Sequence, residues 1–490
     1  MLALCYDSLS APSVIVSEAA PLPNTWTPDY RRMTSRLAES FTENVDGSWV
    51  LRLRAGVRSG DGNELTANDI KWTFDQAFAR QSVGAYRWGQ IAGLAEPTDL
   101  QVLDSRSLRF KLRTPNPNAA AFLFGGAPPI FDSSSVLAHA NEKDPWGADW
   151  MSDGHVAGFG PYTLAERAPD HLRFTARADY WAGTPPIATI AVDRVDSRAE
   201  ALDALDASEP TYVVGLRPDE VRTLRERDDV VLSASWSGHA YLAMSFDLPP
   251  FDDRRVRHAL SYATPYDEVI EKGLLGLGRR WRGPISSFDP WHTDRSWHYE
   301  ADASKARALL RDAGYAQGLS LALYLSMRDD LVRIAELLRA SYADVGIELE
   351  IRDILDVTPG WSPSFVLRTE CGHNLHEPVY DIAHDYIPIQ PVVLDPAGKL
   401  VIESWLPGYA NSESFDELYR GILLAPSAAE REERTRRMQD EIIGFAPFIY
   451  LAENVHVNAA NVHVSSWMRD PENRLVQALH FQNCNTSYIG

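Results

Sequence analysis

Cysteine is scarce in this chain of 490 residues: Cys5, Cys371 and Cys484 are the only three, and they lie far apart. Such a set makes no disulfide framework, so packing must hold the fold, and the redox compartment is left open. Long apolar runs are missing too. None approaches the roughly 18 residues that a membrane helix needs. The opening MLALC resembles a bacterial lipoprotein cleavage box, but it lacks the charged and apolar regions of a secretion signal. Basic residues are outnumbered, 47 against 68 acidic, for a formal charge of −21. That field repels phosphate backbones and argues against a nucleic-acid partner; its ordinary effect is to keep a protein soluble. Catalytic signatures are likewise wanting. No GxSxG elbow, P-loop or dinucleotide fingerprint follows a strand. Acids are plentiful, yet sequence alone cannot pair them into a catalytic dyad. No Gly/Ser linker, internal repeat or low-complexity tract separates the chain into beads.

What is present is enough apolar material for two or three domains: 45% hydrophobic residues and fourteen tryptophans. Tryptophans in such number serve as core or as flat walls against a ligand. Residues 47–55, GSWVLRLRA, alternate like a half-buried strand. Thr66 then caps a helix TANDIKWTFDQAFAR, with Asp69 placed for a variant capping box. Strands are predicted at 100–104 and 107–113, and a strand pair around a turn at 168–171. Trp49, Trp72 and Trp181 sit in these blocks and are expected in the core. The second half changes character. A helix at 302–313 ends at Gly314. Strand 319–325, helix 329–344 and strand 346–351 then form a βαβ unit, which requires a parallel sheet. Residues 356–411 are irregular and rich in proline and tryptophan. A last helix starts near Ser427, and PFIYLA follows as a strand.

The stretch MSFDLPPFDDRRVRHALSYATPYDEVIEKGL, 244–274, turns a strand into a helix. Asp252 and Asp253 are placed to cap the free N–H groups. Val256, Ala259, Leu260 and Ala263 make one apolar face, and Arg254, Arg255 and Arg257 fall mainly off it. Pro265 ends the pattern.

Several of these blocks resemble one family: the extracytoplasmic solute-binding proteins of ABC transporters, family 5, the peptide- and nickel-binding type. DGSWVLRLRAGVRSGDGNELTANDIKWTFDQAF looks like its strand, DG turn and LTA-x-D helix. GFGPYTLAERAPDHLRFTARADYWAGTPPI is similar to its GTGPY strand pair. The 244–274 stretch, DASKARALLRDAGY, LLRASYADVGIELEI, GYANSESFDELYRGI and FAPFIYL match later elements in order. The resemblance spans nearly the whole chain. It implies an α/β fold, a two-lobed periplasmic-binding-protein-like clamp of type II with an enlarged first lobe. Lobe one would cover 1–240 with an extra subdomain, lobe two 241–454, and 455–490 would return to lobe one. It also implies a monomer without covalent chemistry. Such a monomer captures a small solute, an oligopeptide or a peptide-like or sugar-conjugate ligand, by hinge closure, and presents it to an ABC permease. The expected location is extracytoplasmic, with the export signal missing from this chain. The alternatives are an enzyme or intracellular sensor on the same clamp, and a binder of nickel or another metal chelate.

Departures bear on the ligand. Ser245 replaces the family's usual Asn, and the W-x-x-DY-x-DP motif of peptide binders is reduced to Asp385 and Tyr386. Cys371, His373, His376, Asp381, His384 and Asp385 crowd one short segment. They are metal-ligand types without CxxC or HExxH spacing, so the histidines are candidates for a metal or for hydrogen bonds to an organic ligand. A clamp needs flat apolar walls with a few orienting polar groups. Trp236, His239 and Tyr241 on the strand before Met244, with Trp361, Arg368, Glu370, Asp385 and Tyr386, are the expected ligand-binding residues. Trp405 is expected in the core. No cofactor is expected.

Overall fold

The computed structural model describes residues 2–16, 21–23, 25–80, 88, 94, 96–112, 123, 129–246, 248–356, 364–371, 392–394, 400–402, 418, 421–422 and 424–464. The chain forms two compact units. One comprises Met1–Val14, Pro28–Ala207 and Asp470–Gln482; the other comprises Ile15–Thr27, Ser208–Arg469 and Asn483–Gly490.

In the first unit an antiparallel sheet runs in the order Ala38–Glu43, Trp49–Leu53, Ser107–Phe110, Leu100–Asp104. Trp49, Leu51 and Leu53 alternate inward, as the period of two requires. The helix Ala67–Ala79 starts as its sequence predicts. The Asp69 carboxylate accepts the Thr66 backbone N–H at 2.7 Å and the Thr66 hydroxyl at 3.0 Å. It also accepts from the Ser133 backbone N–H at 2.9 Å and hydroxyl at 2.7 Å, so one buried acid joins two helix starts. A second, antiparallel sheet contains Tyr162–Arg167, His171–Ala176 and Thr189–Asp193. Trp72 is buried here as expected. Trp181 is not: it is half-buried, donating to Asp7 at 3.1 Å under the Arg54 guanidinium at 4.4 Å. A polar indole edge finds its partner at the rim of the packing rather than inside it.

The second unit is organised by two long strands, Val230–Met244 and Phe448–Asn461, paired antiparallel from Val230 opposite Asn461 to Ala243 opposite Phe448. On its other edge Val230–Met244 pairs with Phe365–Cys371, which adjoins Leu319–Leu325 and then Ile347–Asp353. The last two are parallel and joined by the helix Asp329–Ala343, the expected βαβ unit. Alternation divides the long strands. Ala240, Leu242, Met244, Ile449 and Leu451 face a core with the helices Arg254–Ala263 and Asp329–Ala343. Tyr241, Ala243, Phe448 and Tyr450 face the other side with Trp281, Met438 and Ile442.

The helix Arg254–Ala263 is capped by Asp253, whose carboxylate accepts the Arg255 N–H at 2.8 Å. Val256, Ala259, Leu260 and Ala263 are all buried. Arg257 departs from the expected pattern: it is only 2% exposed. Its guanidinium donates to the carbonyls of Phe251 at 2.7 Å, of Phe445 at 2.8 Å and of Ala446 at 3.2 Å, and lies 4.5 Å from the Phe445 ring. The C-terminal carbonyls of the helix Ala428–Phe445 need donors, and a cation there also suits the negative end of the dipole. Burial pulls the Arg257 pKa down to about 10, which leaves it charged at neutral pH. Arg257→Met should therefore cost about 3 kcal/mol, because several buried acceptors lose their donor together. Urea unfolding checks this: the midpoint should fall with an unchanged slope.

Candidate functional site

A row of charged groups lies on the Tyr241 side of the long strands. A short strand, Gly278–Arg280, adds to the other edge of Phe448–Asn461, placing Arg279 opposite Glu453. The same Glu453 stands opposite His239 on the first long strand. Arg279, Glu453 and His239 thus form one row across three strands, guanidinium to carboxylate to imidazole. Glu453 is fully buried. It accepts from Arg279 Nε at 2.7 Å, the Ser286 hydroxyl at 2.7 Å, the Ser287 backbone N–H at 2.8 Å, and the Ser287 hydroxyl. Burial pushes this carboxyl upward, but the charges of Arg279 and His239 and the serine hydrogen bonds outweigh it. The net pKa lies below the ordinary glutamate value.

Aromatic rings frame the row. The Arg279 guanidinium lies 3.6 Å from the Phe288 ring centroid and 4.9 Å from that of Trp236. The His239 ring stacks on Trp281 at 3.9 Å and 5°. Trp281 meets Tyr450 edge-on at 4.6 Å, and Tyr241 meets Phe448 edge-on at 5.3 Å. Among the described residues, three N–H donors here are buried without an acceptor: Trp236 Nε1, Trp281 Nε1 and Arg279 Nη2. Trp72 and Trp88 in the first unit likewise bury an indole N–H without an acceptor among the described residues.

The expected residues fall as follows. Trp236, His239 and Tyr241 share this face, all at least nine-tenths buried. Arg368 stands opposite Tyr241, and Glu370 opposite His239, on the neighbouring strand Phe365–Cys371. Trp361, Asp385 and Tyr386, the histidines His373, His376 and His384, and Trp405 lie outside the described residues. Among the described residues no group of acids, histidines and cysteines could hold a metal ion. Arg279, Trp281, Phe288 and Glu453 escape the sequence reading. Their signals are a glutamate inside the apolar run FIYLAEN and the cluster GRRWRG.

The fold, two long paired strands beside a parallel βαβ sheet with helices, is that of the two-lobed periplasmic binding proteins. The structure superposes on DppA from Helicobacter pylori, in complex with the peptide STSA, with a TM-score of 0.75 at 20% identity, covering 96% of this chain and 91% of that one. Residues 32–374 match the family described as bacterial extracellular solute-binding proteins, family 5 Middle, and the chain belongs to that family. It is 26% identical over 361 residues to the dipeptide-binding protein of Escherichia coli (strain K12), covering 69% of this chain and 65% of that protein. The chain thus spans just under two thirds of that relative. It is 25% identical over 492 residues to the di/tripeptide-binding protein 2 of Pseudomonas aeruginosa (strain UCBPP-PA14), covering 93% and 88%.

Glu453→Gln should destabilise the protein by about 3 kcal/mol at pH 7, since it leaves Arg279 without its charge partner. A carboxyl with a lowered folded pKa contributes stability above its unfolded value near 4.5 and loses it as pH falls through the lower folded value. The difference between wild type and Glu453→Gln in urea should therefore shrink once pH drops below about 4.5. A difference independent of pH would contradict the assignment.

Proposed function

We propose that this protein is the solute-binding component of an ABC-type importer, acting outside the cytoplasm, and that its solute is a short peptide or a peptide-like conjugate. The single observation that carries the reading is the family match across residues 32–374. The curated relatives support the solute class by their names, dipeptide-binding and di/tripeptide-binding. In this reading the protein does no covalent chemistry and hands its solute to a membrane permease. No described helix is long and apolar enough to cross a membrane. The site residues are those of the face just described, Trp236, His239 and Tyr241, with Arg368 and Glu370 beside them. Trp361, Asp385 and Tyr386 complete the proposed ligand set.

A ligand that binds only the folded state stabilises it by mass action, about 2.7 kcal/mol at a hundredfold excess over Kd. A thermal-shift panel of di- and tripeptides, sugar–amino-acid conjugates and nickel–histidine should give one stabilising class. The histidines of 373–384 are the reason to include the nickel chelate. Turnover of a panel compound, or no stabilisation by any class, would overturn the reading.

A further inference from the structure

The first unit holds a cleft of its own, a cavity of about 370 Å³ whose lining belongs wholly to that unit. One wall is the strand Tyr162–Arg167, and every residue of that strand reaches the cavity. Side chains alternate between the faces of a strand, so a cavity touching consecutive residues runs along the strand's edge. Tyr162–Arg167 is the outer strand of its sheet; among the described residues it pairs with His171–Ala176 on one side, and its other edge is open. An open edge presents backbone donors and acceptors to whatever fills the space beside it. The remaining walls come from residues 60–61 and 153–156. Trp150 stacks with His139 at 4.6 Å and with His155 at 4.8 Å, which braces the wall that carries Asp153.

Two of the lining acids already have partners. Asp61 accepts from the Ser135 hydroxyl at 2.6 Å, and Glu166 pairs with Arg173 at 3.5 Å. Asp153 and Arg167 differ: among the described residues neither side chain makes a hydrogen bond or an ion pair. The Arg167 guanidinium lies against Gly154, in the space a Cβ would take, and so sits beside the residue that follows Asp153. Tyr162 is an independent sign of a ligand. It is 4% exposed, yet its hydroxyl has no partner among the described residues. Burial pushes its pKa up to about 12, so at neutral pH it is an uncharged donor. Unlike the unpaired indoles of the packed cores, Tyr162 borders a cavity. Val156 and Leu164 are half-buried and add apolar wall. We propose that this cleft binds a free apolar amino acid as its zwitterion. Asp153 receives the ammonium, Arg167 and the Tyr162 hydroxyl receive the carboxylate, and Val156 and Leu164 receive the side chain. One unpaired charge of each sign matches a ligand with one of each; a simple cation or anion would satisfy one and face the other. The volume lies at the small end of ligand pockets, roughly 300–1,000 Å³, which suits a single amino acid.

The test offers leucine, leucinamide and N-acetylleucine to the purified full chain, read by calorimetry and by hydrogen exchange of residues 162–167. Leucine should bind and slow exchange along that strand. Leucinamide lacks the carboxylate and N-acetylleucine the ammonium, and each should bind at least about tenfold more weakly. Asp153→Asn should weaken leucine about tenfold and leave N-acetylleucine nearly unchanged; Arg167→Gln should weaken leucine as much and spare leucinamide. Both residues are exposed, so these variants keep the fold and guard against a packing defect in Tyr162→Phe, which should also weaken leucine about tenfold. No binding of leucine, equal binding of the three compounds, slowed exchange elsewhere with none at 162–167, or undiminished binding in both charge variants would overturn the proposal. The solute-binding reading rests on residues of the second unit and survives any of these results.

Discussion

The antiparallel ladder between Val230–Met244 and Phe448–Asn461 is the constraint on which the second unit depends. It joins segments more than two hundred residues apart, so its register sets which distant side chains become neighbours. A slip by one residue would turn Glu453 away from Arg279 and His239 and into the apolar core of Leu242 and Leu451. The buried ion row therefore needs the ladder, and it also makes any other register costly. Buried ion pairs contribute little net stability against apolar replacements, but they penalise the wrong pairing heavily.

On that ladder the two faces divide the work. One holds aliphatic residues against the helices Arg254–Ala263 and Asp329–Ala343 and supplies hydrophobic stabilisation. The other mixes tryptophan, tyrosine and histidine with Arg279 and Glu453. Aromatic residues are large and rigid and carry one polar edge, which suits a surface that must be dry yet directional. The acidic row member is satisfied four times over, while the indoles and one guanidinium nitrogen are not.

Local structure was largely legible in the sequence. The 3.6-residue spacing of Val256, Ala259, Leu260 and Ala263, the Thr66–Asp69 start, and the strand–helix–strand order of 319–353 are each written within a few residues. Trp236, His239 and Tyr241 were also readable, as aromatics on a strand entering the second unit. What was not legible depends on partners far along the chain. PFIYLA reads as a short strand because Glu453, Asn454 and Asn458 interrupt the apolar pattern. The strand runs on to Asn461 because other segments satisfy Glu453 and Asn458. Asn458, for example, donates to the Tyr212 hydroxyl at 2.7 Å and accepts from the Gly215 N–H at 2.9 Å. Arg257 was misplaced for the same reason: besides the nearby Phe251 carbonyl, its acceptors are the carbonyls of Phe445 and Ala446, nearly two hundred residues away. Trp361, Asp385 and Tyr386 lie outside the described residues.

The most direct measurement of the central claim is the indole N–H spectrum of the protein with a bound peptide. Phenylalanine replacements assign the Trp236 and Trp281 signals among the fourteen tryptophans. If the Tyr241 face receives the solute, both signals should move on saturation, while the rest stay nearly fixed. If the peptide binds and both signals remain where they were, this face is not the receptor of the solute and the account fails.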